Sequence, residues 1–437
     1  QPAYREAYLP REYTTRASMD QVDALQHALH FSNTLQPPAT SPESQQQAQY
    51  FFSAYTMPAQ GLQMMMGMEG EEVMKKMFRQ YFADHQFSHV TPAHLSNSFE
   101  QACDCDLSWY FDGWIHHAHE IDYRISHFDR EKKEVTFVNH GPADIPLRFN
   151  TYKDGQQIRE HTLNGFKGEK TIHLDHRADE IHLYEGFMGV NRHWSSNINP
   201  RSLIPRFGFM PKIESYRSPT IGITPAFGYN LADGFMAGVA LSSGLLPQQH
   251  FKFVVAPLYG KKSKKIRGYA NFRYINDLKS GPFDKFLLSL AFDDFGYNVD
   301  THYLFRDHYF RWEPTVAFRL KPTDTNSKIS QWLKYRYVNI NQYYGRGQNY
   351  EDKIYTEEHR SYGIHELSYQ FRSDEVLKPL EAIGNVQGGK GFVRLNLRYK
   401  QHFVGKDKRR GVWVQAYGGW LPVYDSPDAA VGFTING

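Results

Sequence analysis

The stretch Val393-Arg-Leu-Asn-Leu-Arg-Tyr-Lys400 decides the fold class, because every second residue in it is apolar. Successive side chains of an extended strand point to opposite faces, so strict alternation is typical of a β-strand. One face carries apolar side chains and the other polar ones: Val393, Leu395, Leu397 and Tyr399 against Arg394, Asn396, Arg398 and Lys400. The stretch therefore predicts a strand whose two faces meet different surroundings.

The same alternation recurs through residues 219–437. It is clear in segments 311–320 and 365–372. We count about ten such strands, and each is close in length to the about 9–11 residues that a tilted strand needs to cross a bilayer. Polar turns separate the strands, as at Leu231-Ala-Asp-Gly234 and Lys261-Lys-Ser-Lys-Lys265. Together these segments predict a large antiparallel sheet.

Two environments explain such alternation. A soluble sandwich also alternates, with its apolar side chains inward and its charges in water. Here the polar face carries Arg and Lys on many consecutive strands, and the apolar face is rich in rings that a soluble barrel would have to pack inside. In an outer-membrane barrel those rings face lipid and the polar face lines the lumen. We expect residues 219–437 to form an outer-membrane-type antiparallel β-barrel, incomplete if further strands follow; a soluble β-rich binding module is the alternative.

Composition narrows the class of protein further. The 437 residues contain 50 Lys+Arg and 47 Asp+Glu, a formal charge of +3. So small a net charge gives no support for nucleic acid as a partner. The mean hydropathy is −0.62, and no apolar run approaches the about 18 residues of a transmembrane helix. We therefore expect neither a nucleic-acid-binding protein nor a helical membrane protein.

The cysteine and histidine residues are the candidate metal ligands of this sequence. The chain contains no His-Glu-x-x-His motif, and we interpret His116-His117-Ala118-His119-Glu120 as a solvated hinge because adjacent side chains diverge. Cys103 and Cys105 lack the second pair that a zinc site would need. A bridge across one intervening residue is expected to be strained, so both are predicted to be free thiols.

Residues 1–119 are predicted to be helical. Pro58 and Pro92 suit the first turns of helices, with Thr91 as an N-cap, and Asp106 can cap a short aromatic helix over 107–114. One helix presents an apolar stripe made of Val73, Met77, Phe78, Tyr81 and Phe82. The methionines of Met64–Met68 are expected to fill the core.

Residues 120–200 change to short strands. Apolar runs at 121–125, 135–138 and 145–149 are separated by turn signals at Asn139-His-Gly141 and Lys153-Asp-Gly155. This pattern predicts a small antiparallel β-sandwich. A linker rich in Pro, Arg and Phe over residues 201–218 joins it to the large sheet.

Several motifs of the first 200 residues occur together in one known family. Tyr55-Thr-Met-Pro-Ala-Gln-Gly-Leu62, the run from Met68 to Phe82 containing Gly-Glu-Glu, and Asp106-Leu-Ser-Trp-Tyr-Phe-Asp-Gly-Trp114 appear in that order. They resemble the back half of the catalytic domain of aminopeptidase-N-like gluzincin zinc peptidases. Val138-Asn-His-Gly141 and the segment Asn191–Asn197 resemble the β-sandwich domain of that family, and Phe227–Met236 resembles the β-rich region of its membrane-anchored members.

The resemblance implies a multidomain α+β protein: the helical end of a gluzincin catalytic domain (1–119), a β-sandwich (120–200), a linker (201–218) and a barrel (219–437). It implies that Tyr55 donates a hydrogen bond to the oxyanion formed beside zinc. The zinc ligands are expected upstream of Gln1, so the chain by itself would be inactive. Peptides would be the substrates.

The resemblance also implies a location and partners. We expect the outer membrane of a Gram-negative bacterium, with its lipid bilayer and an outer-membrane protein complex as partners. A competing hypothesis is a pseudo-peptidase that serves as a binding or scaffold subunit of such a complex. An intact His-Glu-x-x-His motif before Gln1 would favour the enzyme, and its loss would favour the scaffold.

Overall fold

The computed structural model describes residues 16–32, 35–42, 45, 47–117, 119–185, 188–211, 217–246, 249–278, 280–299, 306–322, 327–349, 354–375, 378–405 and 410–424. The predicted helical zone over 1–15 and the segment after 424 lie outside them. The chain is mostly β, with few helices. It forms two compact units: Gln1–Arg206 with Ile213–Thr220 and Leu245–Gln248, and Phe207–Lys212 with Ile221–Gly244 and Gln249–Gly437.

The helices belong to the first unit. They are α1 (Arg16–Ser32), α2 (Gln47–Phe51), α3 (Met57–Glu69), α4 (Glu71–His85) and α5 (Pro92–Cys103), with π-helical segments at Phe52–Thr56 and Trp109–His116. Pro58 and Pro92 stand in the first turns of α3 and α5, and Thr91 is the N-cap of α5, as predicted. The Ser108 N–H donates to Asp106 Oδ1 over 2.8 Å, but the π-helical segment begins at Trp109 with Ser108 as its N-cap, two residues later than predicted. No helix in the described part of the chain is both long and apolar enough to cross a membrane.

The apolar side chains of this unit form one core. Met64 and Met65 are fully buried, as expected for the methionine-rich segment. The stripe predicted on α4 is partly wrong: Met77 is buried, but Phe78 and Phe82 are exposed. The buried face runs through Met74 and Met77, because α5 covers only one side of α4.

The prediction of free thiols is wrong. Cys103 and Cys105 form a disulfide with a Cα–Cα distance of 5.1 Å, within the usual range of about 4.4–6.8 Å. The prediction assumed that two cysteines separated by one residue have a Cα–Cα spacing unsuited to a disulfide. Asp104 adopts a left-handed conformation (φ 55°) at the end of α5, and this sharp reversal brings the two Cα atoms together.

Residues 120–200 form two antiparallel sheets. The first has the order β1 (Tyr123–Asp129), β2 (Glu134–Asn139), β5 (Gly168–His173); the second has the order β4 (Gln156–Leu163), β3 (Leu147–Lys153), β6 (Glu180–Leu183), β7 (Ile198–Asn199). Asp154 and Gly155 take positive φ in the β3–β4 hairpin, as the turn signal predicts. The rings of Phe137 and Phe149, one from each sheet, lie 4.9 Å apart, so the sheets pack face to face.

The second unit is built on a 12-stranded sheet in which each strand pairs with the next along the chain, and the pairs from β9–β10 to β18–β19 are antiparallel. The strands are β8 (Arg206–Phe209), β9 (Thr220–Asn230), β10 (Gly234–Ser243), β11 (Phe251–Gly260), β12 (Ile266–Asp277), β13 (Phe283–Val299), β14 (Arg306–Leu320), β15 (Ile329–Asn349), β16 (Ile354–Ser373), β17 (Leu380–Gly389), β18 (Phe392–Val404) and β19 (Gly411–Tyr424). Within the described residues, β8 and β19 remain the two edges of this sheet.

Candidate functional site

Tyr55, the residue predicted to act in catalysis, lies on the π-helical segment between α2 and α3. Pro58 has no N–H to donate, and just before it the helix widens: the Met57 N–H donates to the carbonyl of Phe52, five residues back. Such widened turns often occur at functional sites. Tyr55 is 57 % exposed, so its phenol is accessible from solvent.

A second tyrosine accompanies Tyr55. The spacing of five residues places Tyr50 beside it, with ring centroids 5.8 Å apart in an edge-to-face arrangement. A side-chain hydrogen bond with Tyr55 raises the pKa of Tyr50, so that phenol stays protonated near neutral pH. The sequence reasoning missed Tyr50, since a regular α-helix would have put the two residues on different faces.

Buried contacts hold the helix that carries Tyr55. The Trp114 Nε1–H donates to the Met57 carbonyl over 2.7 Å, and a Cβ at Gly61 would overlap the ring of Trp114. Gln60 and Gln26 exchange two side-chain hydrogen bonds of 2.8 and 2.9 Å in the interior, which ties the helix to α1. These contacts restrict the backbone around Tyr55 and leave its side chain at the surface.

A cleft of about 630 Å³ lies elsewhere in the first unit. It is lined by acidic side chains, by His119 and by Trp109, and Tyr55 is not among its lining residues. The acidic members are Glu69, Asp106, Asp112 and Asp144. The N–H of Ser108 already binds Asp106 and lowers the pKa of its carboxyl group.

The histidine-rich segment does not form a metal centre in the described residues, which leave out Ala118. His117 and His119 stack with their ring centroids 5.2 Å apart, and His117 Nδ1 lies 2.7 Å from the carbonyl oxygen of Asp112. Burial and the neighbouring His117 lower the pKa of His119. Among the described residues, no three His, Cys, Asp or Glu side chains converge in a way that could hold a metal ion.

A buried polar cluster joins β1 to the segment after Met188–Val190. Asn191 bonds the backbone of Tyr123 twice, accepting from its N–H at 3.1 Å and donating to its carbonyl at 2.8 Å. Burial alone would raise the pKa of Asp122, but hydrogen bonds from His193 and Arg124 outweigh it and lower that pKa to about 2. Asn191 and His193, which the sequence resemblance marked, therefore have structural roles here.

On β14 to β18 the polar face of the large sheet is the less exposed face, and the apolar face is the more exposed one. One row of register partners crosses β14 to β18 on the polar face: Thr315, Arg336, Glu366, Gln387 and Arg394. The neighbouring row, one residue along, points the other way: Val316, Tyr335, Leu367, Val386 and Leu395. Glu366 is 5 % exposed and Leu367 is 50 % exposed, the reverse of what a water-soluble sheet requires.

Side chains on the polar face, including members of this row, form a connected ladder of ion pairs and hydrogen bonds. Arg311 Nε lies 2.7 Å from Asp293, and Arg336 lies 3.3 Å from Glu313 and 2.8 Å from Glu366. Gln387 donates to Glu366 and accepts a 2.9 Å hydrogen bond from Arg394. The alternation in the sequence identifies this face, but the pairing of particular residues depends on the register.

The apolar row continues on neighbouring strands. Exposed side chains on this face include Leu288, Leu333, Tyr335, Tyr369 and Leu397. Leu397, which the sequence assigned to the apolar face, is 58 % exposed. At β19 both faces are exposed throughout, since it is an edge of the sheet.

Comparison with known proteins adds no relative: no protein-family model matches the chain, and no curated protein matches it.

Proposed function

We propose that the sheet of the second unit is embedded in a lipid bilayer, as an outer-membrane-type β-barrel, and anchors the first unit to the membrane. The inverted faces of β14 to β18 carry this proposal. In water, the exposed row would leave Leu367, Val386 and their neighbours solvated, at a cost of about 25 cal/mol per Å² of apolar surface. Against hydrocarbon the same surface is favourable, and the charged ladder lines a polar interior.

The experiment that tests this proposal is flotation of the full chain with phosphatidylcholine vesicles. We expect the protein to float with the vesicles, to resist extraction at alkaline pH and to need detergent for solubility. Brominated phosphatidylcholine should quench Trp420 of β19, which is exposed and is the register partner of Leu395 on the apolar face. A monodisperse protein in detergent-free buffer would contradict membrane embedding.

For the first unit we propose the end of a gluzincin-type zinc peptidase, with Tyr55 as an oxyanion donor. An exposed phenol on a helix held by Trp114 and Gln60 suits that role, because a fixed neutral donor stabilises the transition state more than the ground state. As the family resemblance implies, we assign the zinc ligands of this proposal to sequence before Gln1. Bound zinc would supply Lewis-acid chemistry.

The disulfide supports the proposed location. A bridge between Cys103 and Cys105 persists in oxidising compartments, such as the bacterial periplasm or the cell exterior, and is rare in the cytosol. An outer-membrane protein is exposed to both of those compartments.

A scaffold function is the second candidate, and the exposed aromatic side chains around Tyr55 favour it. Tyr50, Phe51 and Tyr55 are all at least 42 % exposed and lie within six residues of each other, which suits contact with a partner protein. Peptide hydrolysis by the longest natural form of the chain separates the two functions. Hydrolysis that requires zinc supports the enzyme; partner capture that is lost with Phe51→Ser, without hydrolysis, supports the scaffold.

A further inference from the structure

Four lysines occupy the turn between β11 and β12. Lys261, Lys262, Lys264 and Lys265 surround Ser263, and all four are exposed. This dense positive charge is not needed for the proposed peptide hydrolysis or for membrane embedding.

The backbone of this lysine turn is fixed. The Gly260 N–H donates to the Lys265 carbonyl over 2.9 Å, and the Lys264 N–H donates back to the Gly260 carbonyl over 2.8 Å. The turn is also bonded to the neighbouring β9–β10 hairpin, where the N–H groups of Lys261 and Lys262 donate to the carbonyls of Phe235 and Asp233 over 2.9 Å each. The four side chains therefore project from a preorganised surface.

Acidic side chains do not neutralise the turn. The carboxylate of Asp233 on the adjoining hairpin is 1 % exposed and has its own partners. It accepts hydrogen bonds from the Gly296 N–H at 2.7 Å and from Asn230 at 2.9 Å, and it pairs with Arg267 at 3.3 Å. Within the part of the chain that the structure describes, none of the four lysines forms an ion pair.

The apolar outer face reaches this turn directly. Tyr259 and Ile266 are register partners immediately before and after the lysines, and they are 54 % and 71 % exposed. On the adjoining hairpin, Phe235 and Tyr229 are also paired and exposed. If the sheet is embedded as proposed, the lysines stand where hydrocarbon gives way to the lipid headgroups.

We propose that the lysine turn binds the phosphate-bearing headgroups of anionic lipids. This inference rests on the proposed membrane embedding of the sheet. Clustered ammonium groups next to a bilayer attract anionic headgroups, and the adjoining Tyr259 and Ile266 can contact the acyl chains of the same lipid. A soluble phosphate could satisfy the lysines, but it would leave those apolar side chains without a partner. The turn thus selects a lipid that carries both features.

The test uses the full chain reconstituted in phosphatidylcholine bilayers with a trace of spin-labelled lipid. We expect spin-labelled phosphatidylglycerol to associate with the protein about threefold or more in excess of spin-labelled phosphatidylcholine. Changing all four lysines of the turn to glutamine should abolish this preference, and changing them to arginine should retain it. A matched control replaces Lys76, Lys132, Lys153 and Lys167 of the first unit by glutamine; it has the same net charge and should keep the preference.

The outcomes separate this inference from the proposed function. Protein that immobilises both spin-labelled lipids equally would overturn the lysine site while leaving membrane embedding intact. Protein that immobilises neither lipid would overturn the embedding itself. Inorganic phosphate can be added as a competitor to the unmodified chain and to a variant with Tyr259→Ser and Ile266→Ser. If phosphate removes the lipid preference equally well in both proteins, the apolar flank is not part of the site.

Discussion

Arg336 and Glu366 are register partners on β15 and β16, and their side chains form a 2.8 Å ion pair on the buried face of the sheet. One residue further along, Tyr335 and Leu367 are also partners, but they point outward and are exposed. On this pair of strands the charged side chains are therefore buried and the apolar side chains exposed, the opposite of the arrangement in a soluble protein. The proposed membrane embedding of the second unit depends on this inversion.

Replacing Glu366 by Gln should destabilise the sheet. The change removes the closer of the two carboxylates that pair with the half-buried Arg336, while Glu313 remains at 3.3 Å, so we expect a cost of about 1–3 kcal/mol. Urea unfolding in detergent, followed by tryptophan fluorescence, measures the difference. Glu357→Gln on the same strand is the control, because Glu357 is exposed, and its unfolding midpoint should match that of the unmodified chain.

Leu397→Arg should destabilise the embedded protein by about 2–4 kcal/mol if this position meets the middle of the bilayer. Unfolding from phosphatidylcholine vesicles provides the measurement. The matched control is Ile158→Arg on β4 of the first unit, where an apolar side chain of similar exposure faces water. Equal, negligible effects at both positions would mean that Leu397 does not face lipid.

Tyr55→Phe should lower kcat about 10²–10³-fold in a form of the protein that contains the zinc motif, with little change in KM or zinc content. The reason is that the phenol donates to charge that develops only in the transition state. Tyr50→Phe keeps the Tyr55 hydroxyl and should have a much smaller effect. A Tyr55→Phe enzyme as fast as the unmodified one would remove Tyr55 from the catalytic residues.

The stability of the first unit should fall as the pH is lowered below about 6.5. Burial lowers the pKa of His30 from 6.5 to about 3, and the nearby His27 and Arg192 act in the same direction. Between these two values the unfolded chain binds a proton that the folded chain does not, so acid favours unfolding. Asp122 contributes in a lower window, from its unfolded pKa near 4 down to about 2.

Thermal unfolding between pH 7.5 and pH 5 tests the role of His30. His30→Gln should flatten the dependence on pH in this range, whatever its effect on stability at pH 7.5. His89→Gln, at an exposed histidine, should keep the full dependence. If His30→Gln and the unmodified protein lose stability in parallel, another group is responsible.

Much of the fold follows from local patterns. Pro92 and Thr91 mark the start of α5, and Asp154-Gly155 marks the β3–β4 hairpin, because these residues restrict or permit particular backbone angles wherever they occur. The alternation of residues 393–400 identifies β18 and its two faces for the same local reason. The stripe on α4 was less reliable, since the burial of Phe78 depends on what covers the helix.

The candidate site was less predictable. Tyr55 was identified by resemblance to a family. The position of Tyr50 beside it depends on a widened helical turn that could not be predicted from the sequence. The disulfide was missed because the left-handed Asp104 makes possible a reversal that spacing alone argued against.

The sequence by itself determined that residues 393–400 and their counterparts are strands with one charged face and one apolar face, because side-chain alternation is a property of the extended chain. Only the tertiary structure decided which face is buried, and that Arg336 meets Glu366 while the Asp233 carboxylate pairs with Arg267. Burial and pairing depend on register between strands that are distant along the chain, and local composition carries no information about that register.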